Sequence, residues 1–171
     1  MSIVHPEDFY ARSTIKVAKD LLGCYLNRQL SSGVILNAQI TETEAYTAND
    51  PACHAFNGKT KRTEVMFGPP GRAYVYFIYG MYYCLNVVTE VEQIPGAVLI
   101  RALAGVGLNG PGKICKQWHI DKQLNGADLM DPASSLWITQ RTSGSKPKIQ
   151  TSARIGISKA QDKLWRFYTK A

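Results

Sequence analysis

Ala73-Tyr-Val-Tyr-Phe-Ile-Tyr-Gly-Met-Tyr-Tyr-Cys-Leu-Asn-Val-Val-Thr89 is a run of aromatic and β-branched residues broken only at Gly80-Met81. Such side chains suit a pleated, half-buried surface, and a break near the middle of the run folds it into an antiparallel hairpin. The break is not one of the favoured Asn-Gly turns. Strand alternation puts Tyr74 and Tyr76 on one face of the first arm and sends Tyr79 to the opposite face, at the tip. Tyr82 and Tyr83 follow on the second arm. Tyrosine carries a polar end and rarely fills a core in such numbers. Two readings stay open from the segment alone: a packed core hairpin, or a platform and wedge for stacked bases.

Before the hairpin, Val34–Tyr46 reads as a strand, with Ile40, Glu42, Glu44 and Tyr46 on one side. Thr47–Arg72 is rich in Gly, Pro, Asn and Lys, and reads as a long ordered loop of the kind that carries function. Nearer the N-terminus, Ser13 and Thr14 start a helix. Val17, Ala18, Leu21 and Leu22 form its apolar stripe, and Gly23 closes it. After the hairpin, Ala97–Ala104 is a strand, and Gly110-Pro111-Gly112 opens a helix reaching about His119. Thr142–Ser152 is polar and basic and reads as a mobile surface loop. Arg154–Ser158 and Trp165–Tyr168 read as short closing strands. The predicted fold is α+β: one domain over residues 1–171, a curved, mostly antiparallel sheet with packed helices, and a protruding hairpin. Strand order is not fixed by these signals.

The 171 residues are enough to bury a core without disulfide staples. Cys24, Cys53, Cys84 and Cys115 form no C-x-x-C pair and read as reduced, buried thiols. His5, His54 and His119 have no metal-ligand spacing with one another or with the cysteines. The chain opens on no charged-then-apolar leader and has no apolar run long enough for a bilayer, so a cytoplasmic location is expected, or a nuclear one in a eukaryote. Twenty Lys and Arg against 13 Asp and Glu give a net charge of +7, which suits a polyanionic partner.

Three features carry chemistry. Glu42 and Glu44 on one strand face suggest acid/base work or, equally, a solvated edge. Arg101 sits within Ala97-Val-Leu-Ile-Arg-Ala-Leu103; either it is an edge-strand arginine reaching solvent, or it is buried and needs a carboxylate, for which Glu42 or Glu44 would serve. Lys59, Lys61, Arg62 and Arg72 flank the hairpin on one side, and Lys113 and Lys116 follow Gly110-Pro-Gly on the other, a pattern of phosphate contacts.

Several blocks in order resemble the alkyladenine (3-methyladenine) DNA glycosylase family. They are Ala11-Arg12 with Val17-Ala18 and Leu21-Leu22-Gly23, Thr41-Glu-Thr-Glu-Ala-Tyr46, Asp50-Pro-Ala-Cys-His54, Met66-Phe-Gly-Pro-Pro-Gly71 and Tyr74-Val-Tyr-Phe-Ile-Tyr-Gly-Met81. Asn86, Val98-Leu-Ile-Arg-Ala102, Gly110-Pro-Gly-Lys113, Arg154-Ile-Gly-Ile157 and Arg166-Phe-Tyr168 complete the set. The resemblance covers most of the chain and fits a compact, bacterial-type member. It implies a monofunctional base-excision enzyme that flips alkylated or deaminated purines out of duplex DNA. It also implies hydrolysis of the N-glycosidic bond with no cofactor or metal, by a monomer. By the same resemblance, Glu44 would activate water, with Arg101 and the main-chain carbonyl of Ile155 positioning it. Tyr46, His54 and Tyr76 would form the base pocket, and Asn86 would screen against guanine. Tyr79 would be the wedge, with Met81 and Tyr82 beside it, and Arg62, Arg72 and Lys113 would meet the DNA backbone. Thr63, where the family often has Asn, and Trp118-His119 depart from the pattern; the latter reads as packing. The competing readings are a non-catalytic nucleic-acid-binding module, which would not need Glu44 with Arg101, and an enzyme on another glycosidic or formyl-transfer substrate, which would not need Tyr79 at a tip.

Overall fold

The computed structural model describes residues 4–142, 144 and 146–169. Eight antiparallel strands form one curled, half-barrel sheet. In chain order they are β1 (Tyr25–Gln29), β2 (Ile35–Thr47), β3 (Ala73–Ile78), β4 (Tyr82–Thr89), β5 (Gly96–Leu103), β6 (Leu136–Thr139), β7 (Ile149–Ser152) and β8 (Arg166–Thr169). The main path runs β3-β4-β5-β2-β1-β6, and β8 pairs with both β2 and β7. Three short helices are α1 (Glu7–Tyr10), α2 (Thr14–Asp20) and α3 (Pro111–Gln117). The α+β class with a largely antiparallel sheet is as expected.

The strand β2 organises the sheet because it is long enough to have two sets of neighbours. Its first part pairs with β1, from Ile35 opposite Gln29 to Gln39 opposite Tyr25. Its second part pairs with β5 on one edge, and Glu42–Glu44 pair with β8 on the other. The β2–β5 register is irregular around Glu42, leaving Thr41 and Arg101 out of the regular pairing. Irregular pairing re-aims side chains, and here it lies beside the acidic residues.

The core is apolar from Val17 and Leu21 of the N-terminal helix region through Leu26, Ile40, Val98 and Ile100 to Phe167. Burying each such side chain stabilises the fold by roughly 1.5–3 kcal/mol. The helix α2 packs on β2 and β5, and α3 on β4 and β5. Ser13 occupies the N-cap of α2, but its side chain makes no capping bond. Glu90, 76 residues beyond Thr14, supplies it instead: one carboxylate oxygen accepts from Thr14 N–H at 2.7 Å and from Thr14 Oγ1 at 2.8 Å. A carboxylate at this end also suits the helix dipole. Trp118 is buried in the core and His119 is exposed, so packing accounts for the first of these two residues only.

Four sequence expectations change. The helix α1 and the strands β1 and β6 were not anticipated. Thr142–Ser152 is not all loop, because Ile149–Ser152 is β7; Ser143 and Ser145 of that stretch lie outside the described residues. Arg154–Ser158 is not a strand: Gly156 has φ +75, a left-handed conformation that ends extended pairing. The hairpin tip also breaks simple alternation. Tyr79 (φ 55) and Gly80 (φ 64) are both left-handed, as a type I′ turn requires, and Met81 N–H bonds Ile78 O at 3.2 Å. Tyr79 therefore turns to the rim of the cleft that Tyr76 lines, not to the opposite face.

Candidate active site

One cleft of about 640 Å³ opens between the β3–β4 hairpin, the 47–72 loop, the start of α3 and the 155–159 segment. That is a common size for a small-molecule-sized site. Tyr46 comes from the end of β2, His54 from the loop, Tyr76 from β3 and Asn86 from β4; all four line it, with Arg101 and Ile155. Lys113 and Tyr79 lie on its lining too, as does Tyr82.

The aromatic wall is fixed by mutual contacts. The His54 and Tyr76 rings meet edge to face, with centroids 4.5 Å apart at 80°. His54 Nδ1 is 3.1 Å from the Tyr74 hydroxyl, and the Tyr74 and Tyr76 rings lie 5.3 Å apart. Burial, with help from the Arg62 charge, draws the His54 pKa down to about 4, so the ring is neutral at pH 7. Arg62 reaches over the Tyr76 ring, its guanidinium carbon 5.2 Å from the centroid. Asn86 is buried and donates to Tyr74 O at 3.2 Å.

Behind this wall lies Glu44, whose side chain has 0% exposure. It sits one layer back: the groups touching it are those that line the cleft. The Tyr46 hydroxyl donates to Oε2 at 2.7 Å. The Ile155 N–H donates to Oε1 at 2.8 Å, and Arg101 Nη1 lies 3.5 Å from the same oxygen. Burial raises the carboxyl pKa above its ordinary value, opposed by Arg101, by the two hydrogen bonds and by Arg154. Tyr46 and Glu44 thus share a face, as alternation implied.

Arg101 finds both carboxylates. Its Nε donates to Glu42 Oε1 at 3.0 Å. Glu42 also accepts from Arg166 Nε at 2.6 Å, and Arg166 Nη1 reaches Ser152 Oγ at 3.0 Å. Two arginines thus balance two glutamates. Glu42 spends its capacity as an anchor for Arg101, whereas Glu44 is the carboxylate turned to the cleft wall.

A second pair holds this arrangement in place, and it escaped the sequence reading. Arg154 and Asp50 are both wholly buried and bonded through two nitrogens to two oxygens. Arg154 Nη1 also donates to Ala45 O at 2.9 Å, and Nη2 to Ala160 O at 3.4 Å. Its guanidinium carbon lies 4.6 Å from the Tyr46 ring centroid and 5.3 Å from that of Trp165. Arg154 thus contacts Ala45 and Tyr46, the two residues after Glu44, and it precedes the Ile155 N–H that bonds Glu44. The signal that exposed Arg101, a charge flanked by apolar residues, is present at Arg154 as well.

The remaining expected residues lie at the rim of the cleft or beyond it. Tyr79 is 74% exposed and Met81 67%, with Tyr82 partly covered beside them. Gly112 of α3 approaches the Tyr82 ring so closely that a Cβ there would lie 2.9 Å from it, which ties the tip end of the hairpin to α3. Lys113 Nζ bonds Asn109 Oδ1 at 2.9 Å. Arg72 lies outside the cleft lining, ion-paired with Asp128 at 3.0 Å. Thr63 is buried and closes its own loop, accepting from Thr60 N–H at 2.9 Å. Among the described residues no group of three His, Cys, Asp or Glu could hold a metal ion, and no helix is long and apolar enough to cross a membrane.

Comparison with known proteins agrees over nearly the whole chain. Residues 8–171 match the family described as Methylpurine-DNA glycosylase (MPG). A protein of Carboxydothermus hydrogenoformans, named "Putative 3-methyladenine DNA glycosylase", is 49% identical over 182 residues, covering 96% of this chain and 94% of the relative. A protein of the same name from Wolbachia pipientis wMel is 51% identical over 95% of this chain and 89% of its own length. One from Trichodesmium erythraeum is 42% identical over 92% of this chain and 89% of its own length. The chain belongs to the methylpurine-DNA glycosylase family.

Proposed function

We propose that the protein is a monofunctional DNA glycosylase that takes an alkylated purine into the Tyr46–His54–Tyr76 cleft and hydrolyses its N-glycosidic bond. The observation that carries this reading is the buried Glu44 carboxylate, held at the back of an aromatic cleft by Tyr46, Ile155 N–H and Arg101. Family membership and the named relatives support the DNA substrate and the alkylated base.

The chemistry follows from the charges. Alkylation can leave a purine cationic, and electron-rich rings attract cations, by about 0.5–2 kcal/mol. Neutral His54 adds no repelling charge. Extrusion from the stack costs a few kcal/mol, least for a damaged or mispaired base. Tyr79, exposed at the tip in a left-handed conformation that costs an aromatic residue roughly 1–2 kcal/mol, is suited to fill the vacated stack. Bond cleavage builds oxocarbenium-like positive charge on the sugar. Glu44 stabilises that charge and accepts a proton from the attacking water, an effect of about 10²–10⁴ in rate. Its raised pKa makes it a stronger base than an exposed carboxylate. A cationic base leaves without an acid, so a second free carboxylate is not needed. Water approaches Glu44 once the cleft wall yields by roughly the width of a water molecule; catalytic contacts commonly tighten only when substrate is bound. Exposed Ile155, next to left-handed Gly156, is the part of that wall best placed to yield.

The test is incubation with duplex DNA methylated by dimethyl sulfate. Free methylated purine should appear while the strand stays intact until alkali cleaves the abasic site. Tight, salt-sensitive binding without base release would overturn the reading in favour of a binding module, and strand scission without alkali would overturn its monofunctional part.

A further inference from the structure

We propose that Tyr46 is also a positioning residue for Glu44: its phenolic hydroxyl, not only its ring, sets the orientation of the carboxylate. This rests on the reading of Glu44 as the water-directing group.

Stacking alone does not require a hydroxyl, and phenylalanine would present the same face. The Tyr46 hydroxyl instead points back from the cleft and donates to Glu44 Oε2 at 2.7 Å. The other oxygen is taken by Ile155 N–H at 2.8 Å. Each carboxylate oxygen is thus gripped from a different chain segment, which fixes the side chain. Solvent offers no substitute donor, because Glu44 has 0% side-chain exposure. The ring cannot drift, because Arg154 lies against it at 4.6 Å and is itself tied to Asp50, Ala45 O and Ala160 O.

Electrostatics give the hydroxyl its effect. Burial favours a protonated, inactive Glu44, while donors to the charged form oppose this. The charged and titratable groups around the carboxylate are Arg101 from β5, Arg166 from β8, Cys84 from β4, Arg154, Glu42 on its own strand and Tyr46 itself. Burial and the Glu44 charge both push the Tyr46 phenol up, so it remains a donor throughout the working range. The carboxylate has lone pairs left for a water even with both donors in place.

The experiment is Tyr46→Phe, read by release of 3-methyladenine from dimethyl-sulfate-treated duplex DNA with enzyme in excess. The variant keeps the ring that packs on Arg154. Excision at neutral pH should slow about tenfold or more, the value of a hydrogen bond to a charged group. The acid limb of the rate profile should move to higher pH, because the ionised carboxylate has lost a donor. A carboxyl-carbon NMR titration, with the Glu44 signal assigned by its loss in Glu44→Gln, should show the same upward shift, a readout independent of activity. In a Glu44→Gln background Tyr46→Phe should cost little more. A wild-type rate with an unmoved acid limb, which a stacking role alone would give, overturns the proposal, as does an equal loss at every pH, which a merely structural disturbance of the cleft would give. If Glu44→Gln retains full activity, the Glu44 reading itself fails and takes this one with it. A dead Glu44→Gln beside an unaffected Tyr46→Phe removes only the hydroxyl's role.

Discussion

Replacing Asp50 with Asn should destabilise the protein far more than loss of a loop residue normally would. Asp50 and Arg154 have no exposed side-chain surface, so neither charge has water to fall back on. In the variant the Arg154 guanidinium keeps the Ala45 and Ala160 carbonyls and the flanking rings, but no counter-charge. Arg154 Nε already lacks a partner, so the group has no slack. Breaking such a pair from one side costs about 3–5 kcal/mol. For a chain of this size that lowers Tm by roughly 6–20 °C. Urea denaturation followed by tryptophan fluorescence gives the free energy, and a thermal melt the Tm. Adding Arg154→Met removes the stranded charge, so the double variant should be more stable than the sum of the single losses. A loss below about 1 kcal/mol for Asp50→Asn, the value of an exposed pair, would refute the reasoning. Strict additivity in the double variant would refute it equally.

Tyr79→Ala should leave Tm unchanged, since the side chain is 74% exposed, but weaken binding to methylated duplex by an amount equivalent to about 1–3 kcal/mol of base stacking. Fluorescence anisotropy checks it, and equal affinity for both proteins would make the tip purely structural. Stability should also fall in acid. His5 and His54 are drawn by burial from 6.5 to about 4 in the fold, so between those values the unfolded chain binds more protons. Their contribution is present above pH 6.5 and is lost as pH falls towards 4. Urea midpoints measured at pH 7 and pH 5 should differ in that sense, and a flat profile would contradict it.

What the sequence made legible is what local rules govern. The aromatic hairpin, β5 and α3 follow from β-formers, breakers and Gly-Pro signals. The shared face of Glu44 and Tyr46 follows from the two-residue period of a strand. Arg101 announced its need for a carboxylate by standing in an apolar run. Local rules fail where tertiary contacts decide. Leu136–Thr139 is buried throughout, so it shows no alternation to read. Arg154-Ile-Gly-Ile157 looks β-branched, yet Gly156 turns it, and Arg154 is drawn inward by an aspartate 104 residues away. The choice between Glu42 and Glu44 was likewise beyond spacing. The structure separates them by partner: Glu42 is held between two arginines, Glu44 between a phenol and a backbone N–H.

The central claim is the role of Glu44, and single-turnover excision by Glu44→Gln tests it most directly. The amide keeps the shape and can still meet Ile155 N–H, but it cannot take a proton from water. Base release should fall by at least about a hundredfold, with affinity for methylated duplex retained. Release at the wild-type rate by a folded, DNA-binding Glu44→Gln protein would contradict the mechanism.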